Sequence, residues 1–207
     1  IPVPGQIEGV TPLEDRWIFA RLSETTARIN AAQQTYRYHE VADLVWGFLW
    51  DEFCDWYLEV KKLRIQQGGH SNTHLHNLLQ VFESALRLLH PVMPFLTEEL
   101  WQRLLKRNRD MPESICVAPF PKANPKLDDA DGVSSFALLQ QIVTMSRALR
   151  ADQKLDPKAQ LEGFLYPATA EVAALLTAAL PVLEAVTNLK FELDAPGAAE
   201  AAGASGA

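Results

Sequence analysis

The chain has 207 residues, 48% of them hydrophobic, and a formal net charge of -7. That is enough apolar sequence to bury a core without disulfide staples, and its length suits one larger domain and a small one. The acidic balance excludes indiscriminate attraction to a phosphate backbone, so any RNA site must be local, and a DNA partner is not expected.

Two cysteines, Cys54 and Cys116, give neither a disulfide framework nor paired metal-ligand spacing, which fits a reducing compartment and predicts unreactive thiols. No apolar run of membrane-crossing length is read from the sequence, and the first residues lack the layout of a signal peptide. A soluble, cytoplasmic monomer is expected, without a membrane partner.

Residues 1–10, with two prolines and two glycines, read as an extended leader. Thr11-Pro12-Leu13-Glu14 then predicts a helix start, with Thr11 as cap, Pro12 in the first position and Glu14 closing a capping box. Ile18, Leu22, Thr25 and Ile29 recur at helical spacing, and the helix is expected to end near Gln34.

A second helix is predicted over about Tyr38 to Ile65. Val41, Leu44, Val45, Phe48, Leu49, Phe53, Trp56, Val60 and Leu63 form its stripe, and Trp46, Trp50 and Tyr57 widen it. So broad an apolar face marks the central member of a bundle, with Trp56 in the core. After the turn-forming Gln66–Thr73 a third helix runs from about Thr73 to His90. Pro91 and Pro94 interrupt it. Thr97 is expected to cap a fourth helix, with Glu98 and Glu99 in its first turn and Leu96 stapled onto Trp101.

These four helices make a bundle over residues 11–110. Residues 111–132, rich in Pro, Asp and Lys, read as a connector. A fifth helix from about Val133 to Ala151, the apolar run Leu161–Tyr166, a helix over about Thr169–Thr187 and the alternating Leu189–Leu193 predict a small α/β subdomain over 133–194. Its two strands run parallel if the helix between them crosses over. Residues 195–207, rich in Ala and Gly, read as a disordered tail. The fold class is therefore mainly α, a helical bundle followed by a small helix-strand-helix-strand unit.

No phosphate-binding glycine loop, nucleophile elbow or His-Glu-x-x-His run is present. His70, His74 and His76 are close in sequence but lack matching Cys or carboxylate partners, so an exposed polar turn is favoured over a metal site. His90, before Pro91, reads as a cap on helix-end carbonyls. Asp51, Glu52, Asp55 and Glu59 read as ion-pair members, with Glu52 on the flank of the stripe and needing a cation if buried. No catalytic residue and no cofactor are assigned to this chain.

The basic residues are more suggestive. Lys61, Lys62 and Arg64 crowd the end of the central helix, where a dipole contact and a phosphate contact are equally good explanations. Arg21 and Arg28 share a face of the first helix, and Arg16 lies near its start. Arg147, Arg150 and Lys154 fall within about 60° on one edge of the fifth helix. Either a solvated face or an RNA-facing ridge accounts for them. The candidate tRNA contacts are thus Arg16, Arg21, Lys61, Lys62, Arg64, Arg147 and Arg150. Trp17 or Phe19 could stack on a splayed base, or be core.

Four motifs carry a family resemblance: Glu14-Asp-Arg-Trp-Ile-Phe-Ala-Arg-Leu22, Trp50-Asp-Glu-Phe-Cys-Asp-Trp-Tyr57, the run Leu88–Trp101 with its two prolines, and Ser146-Arg-Ala-Leu-Arg-Ala151. From about Pro12 to Leu193 the chain resembles the anticodon-binding region of class I aminoacyl-tRNA synthetases, most closely the valyl enzymes. The isoleucyl and leucyl enzymes share the architecture and the proline break. The resemblance implies a tRNA partner, and a larger parent with catalytic and editing domains that joins valine to its tRNA using ATP and magnesium. The family's His-Ile-Gly-His and Lys-Met-Ser-Lys-Ser signatures, editing domain and coiled-coil arm are absent from this sequence. A fragment with no pyrophosphate exchange of its own is therefore expected. A stand-alone interaction module and a small enzyme with an unforeseen site are the competing readings.

Overall fold

A computed structural model describes residues 1–68, 71–106, 111–156 and 159–195. The chain divides into two compact units, residues 1–133 and 134–207. His70 and nearly all of the expected tail lie outside the described residues.

The leader is not merely extended. Ile7 and Val10 exchange backbone hydrogen bonds around Glu8-Gly9, both at positive φ, and Gly5 exchanges two more with the Asn77 side chain. Helix α1 spans Leu13–Gln34. The expected capping box is not formed. Pro12 occupies the cap position without a side-chain bond, its carbonyl accepting from Asp15 and Arg16, while Glu14 is buried and engaged by Arg64. Ile18, Leu22, Thr25 and Ile29 are all buried, as the spacing predicts.

The predicted second helix is one helical run in three parts: α2 over Tyr38–Gly47, a π-helical segment over Phe48–Leu58 and α3 over Glu59–Gln66. The widened turn changes which side chains face inward. Phe48 and Phe53, five residues apart, point into the core with Tyr57, and Phe53 stacks on Phe82 at 5.7 Å. Trp56 is therefore only half-buried, a correction to the 3.6-residue stripe, and Tyr57 takes the fully buried place. Trp46 and Trp50 are exposed.

Helix α4, Ser71–Leu89, packs on α1, α2 and α3, and on α5, Pro94–Leu105. Pro94 opens α5 rather than interrupting a helix, consistent with its missing donor being free at that position. Thr97 is consequently inside the first turn, bonding back to the carbonyls of Met93 and Pro94, and is no cap. Glu98 and Glu99 lie beyond the first turn, and Leu96 is too exposed to staple anything. Trp101 is fully buried against Leu86 and Ile115 and donates to the Pro112 carbonyl at 2.9 Å. The connector thus closes the bundle, with 3₁₀ turns at Ile115–Val117 and Pro125–Leu127.

In the second unit, β1 (Leu161–Leu165) and β2 (Leu189–Leu193) pair in parallel with Leu161 opposite Leu189. Helix α6 spans Ala130–Asp152 and α7 spans Ala170–Thr187. Thr169 caps α7 by accepting from the Val172 amide, and Asn188 ends it in the left-handed conformation. By length and composition α7 could cross a membrane, which corrects the statement that no such run exists. Here it is the crossover that parallel strands require, packed on β2, with Leu176 and Leu183 among its buried residues.

Candidate nucleic-acid interface

The basic residues separate into three groups. Two are structural. Lys61 has no exposed surface: its ammonium donates to Asp15 at 2.8 Å and to His74 Nδ1 at 2.9 Å, with Glu14 at 3.8 Å. Asp15 also accepts from the Tyr57 hydroxyl at 2.5 Å and from Asn77 at 2.8 Å. Burial, and then the facing Asp15 carboxylate, push the Tyr57 phenol well above its usual range. Burial, then the Lys61 ammonium, depress His74, which as the acceptor from Lys61 carries its proton on Nε2. This hub ties α1, the π segment, α3 and α4 together, and Asn77 joins the leader to it. Arg150 is equally committed: it is buried, and its guanidinium donates to the carbonyls of Asp156, Ala159 and Asn188. Reaching a phosphate would leave those groups unpaired, so Lys61 and Arg150 are removed from the candidate contacts.

Four others are held in ion pairs that solvent reaches. Arg16 forks onto Asp129 at 2.6 and 2.8 Å, an arrangement that raises the arginine and lowers the carboxyl. Arg21 forks onto Glu52 at distances of 2.7 to 3.1 Å and also reaches Glu24, giving Glu52 the cation its place on the stripe demands. Arg64 pairs with Glu14 at 3.1 Å and Lys62 with Glu59 at 2.6 Å. Solvent-accessible pairs are worth roughly 0 to 1 kcal/mol, so an incoming phosphate can compete for Arg16, Arg21 and Lys62, and for Arg64 only at the further cost of weakening the pairing of the buried Glu14.

The third group is exposed and has no ion-pair partner among the described residues. It comprises Arg147, Arg28 and the lysines Lys106, Lys122, Lys126, Lys154 and Lys190. Arg147 is thus free while Arg150, three residues on, is locked, although both sit on one predicted edge. Arg28 was visible as a face-mate of Arg21, and exposure is what distinguishes them. Trp17 and Phe19 are core, with 3% and 1% exposure, so neither can stack on a base. The exposed aromatics are elsewhere. Tyr36, at φ 58° in the turn after α1, and Tyr38 meet edge to face at 6.3 Å. Arg37 lies between them in sequence and pairs with Glu40.

His76 bonds Gln80, and His90 bonds Thr97 and approaches the exposed Cys116 thiol at 3.4 Å. Burial pushes the Cys54 thiol up. Among the described residues no three His, Cys, Asp or Glu side chains are grouped to hold a metal ion.

Residues 15–165 match the family described as the anticodon-binding domain of tRNA ligase. The chain belongs to that family. Among its relatives is the valine–tRNA ligase of Solibacter usitatus (strain Ellin6076), 47% identical over 185 residues, which cover 89% of this chain and 21% of that protein. The valine–tRNA ligases of Laribacter hongkongensis (strain HLHK9) and Bacillus subtilis (strain 168) are 37% and 33% identical, over 78% and 88% of this chain and 18% and 20% of theirs. The chain therefore spans about a fifth of the length of these curated relatives.

Proposed function

We infer that this chain holds the anticodon arm of a tRNA on behalf of a valine–tRNA ligase. The observation that carries the reading is the family match over residues 15–165, most of the described bundle and half of the second unit. The larger protein would attach valine to its tRNA through a valyl-adenylate, using ATP and magnesium at a catalytic domain that, like the editing domain, is outside this sequence, in the cytoplasm. Anticodon binding would orient the tRNA so that its distant acceptor end reaches the active site.

The physical support is local charge on an acidic protein. Arg28 and Arg147 present guanidinium forks without ion-pair competition, and a fork suits phosphate oxygens and base edges alike. Arg16, Arg21, Lys62 and Arg64 are the second rank, available on exchange of their ion pairs. Tyr36 and Tyr38 offer exposed rings for a splayed anticodon base. The test is a binding titration of the 207-residue chain with valine-specific tRNA, repeated for Arg28→Gln with Arg147→Gln. Weaker binding at unchanged melting temperature is expected, and unchanged binding would remove these two residues from the interface.

A further inference from the structure

The stacked indoles of Trp46 and Trp50 are 60% and 54% exposed, with centroids 5.5 Å apart and planes inclined by only 7°. Large apolar side chains left in water as a pair mark an interaction surface more often than single exposed residues do. They continue along the helical run into Cys54, four residues on. Beside them runs a second row at the same spacing, Asp43, Gly47, Asp51, Asp55 and Glu59, whose four carboxylates are all exposed. A side chain built at Gly47 would meet only Asp51 Oδ2, at 3.8 Å, so the carboxylate leans over an otherwise open notch next to Trp46. Lys62 pairs with Glu59, but among the described residues Asp43, Asp51 and Asp55 have no cation in reach.

That charge selects the partner. RNA would bring phosphates against three unneutralised carboxylates, and a second copy of the same face would bring three more. A cation is favoured by both rows at once: a guanidinium lies flat on an indole and donates a bidentate pair of hydrogen bonds to a carboxylate. From Asp43 to Asp55 the acidic row extends less than about 18 Å, the α-helical length, because Phe48–Leu58 is π-helical, and a facing helix of about three turns can cover it.

We propose that this face docks a basic helix of a protein partner, with arginine or lysine on successive turns over the carboxylate row and their aliphatic stems on the two indoles. The surface adjoins the tRNA contacts proposed above at one point, the Lys62–Glu59 pair, but the indoles and Asp43, Asp51 and Asp55 stand without them.

The probe is a labelled helical peptide with Arg at every fourth position, titrated into the 207-residue chain and read by fluorescence anisotropy. Trp46→Ala with Trp50→Ala, and separately Asp51→Asn with Asp55→Asn, are each expected to weaken binding about tenfold or more, as losses at the centre of an interface do. Glu171→Gln with Glu192→Gln removes the same charge from the second unit and is expected to change affinity by less than about twofold if attraction is local. Equal weakening by that control would reduce the effect to general attraction to an acidic protein and overturn the proposal. So would an unaffected tryptophan variant, or one that lost tRNA while keeping the peptide, which would make the indole pair an RNA platform. Thermal melts of each variant confirm that it is folded, and a chain that bound the peptide but no tRNA would sink the anticodon reading alone.

Discussion

The ammonium of Lys61 donates to the carboxylate of Asp15 at 2.8 Å, and neither side chain has any exposed surface. A charge pair taken this far from water holds only because Tyr57, Asn77 and His74 complete its hydrogen bonds. Asp15→Asn leaves the ammonium with only Glu14, at 3.8 Å, as counter-charge and is expected to destabilise by up to roughly 3–5 kcal/mol. Tyr57→Phe removes one donor to the carboxylate and should cost roughly 1–3 kcal/mol. Chemical denaturation of the two variants measures both, and losses below about half a kilocalorie would show the hub to be incidental.

Stability should also depend on pH through the hub. His74 faces Lys61, Glu14, Asp15 and Arg64, and its folded pKa is lowered from 6.5 by burial and by the Lys61 ammonium. The unfolded chain therefore binds a proton before the folded one does, so this contribution is present above pH 6.5 and is lost as pH falls through the folded value. Asp129 and Glu98 are lowered too, and their contributions fade only in the more acidic carboxylate range. His74→Gln, which keeps an acceptor for Lys61, should flatten the loss just below pH 6.5. Parallel melting curves for parent and variant across that range would contradict this.

Trp101 and Trp56 should contribute unequally to stability. Trp101 is fully buried in the cluster with Leu86 and Ile115, so Trp101→Ala is expected to cost about 3–5 kcal/mol. Half-buried Trp56 should cost less, about 1–3 kcal/mol, in proportion to the smaller area withdrawn from water. Denaturation midpoints in the reverse order would show the π-helical register to be wrong.

Arg147 and Arg150 provide a similar contrast on α6. Arg150→Ala strips donors from three carbonyls and is expected to lower the melting temperature of the second unit. Arg147→Ala removes an exposed charge and should leave the melt within about half a kilocalorie of the parent while weakening tRNA binding. Calorimetry with a tRNA titration separates the two.

Helix existence was legible because apolar spacing reports burial: the α1 stripe, the helix ending at Thr187 and the parallel strands stand where the sequence puts them. What was not legible has specific causes. A capping box needs free partners, and Glu14 is drawn to Arg64 and Lys61 by tertiary structure. The π turn has no spacing signal of its own, so Trp56 and Tyr57 exchange roles. Among the candidate contacts, charge and position could not separate Arg147 from Arg150, since commitment is decided by carbonyls as distant as Asn188, 38 residues away. Lys61 was ambiguous for the same reason, its counter-charge lying 46 residues back on α1.

The central claim is that this chain grips a tRNA through its anticodon arm, and competition with two RNA pieces tests it most directly. A valine-specific anticodon stem-loop should displace whole tRNA from the 207-residue chain, with affinity falling on a logarithmic salt slope of roughly -2 to -5 for three to five phosphate contacts. An acceptor-stem minihelix of the same tRNA should not displace it. Displacement by the minihelix alone, or no tRNA binding at low salt, would contradict the account.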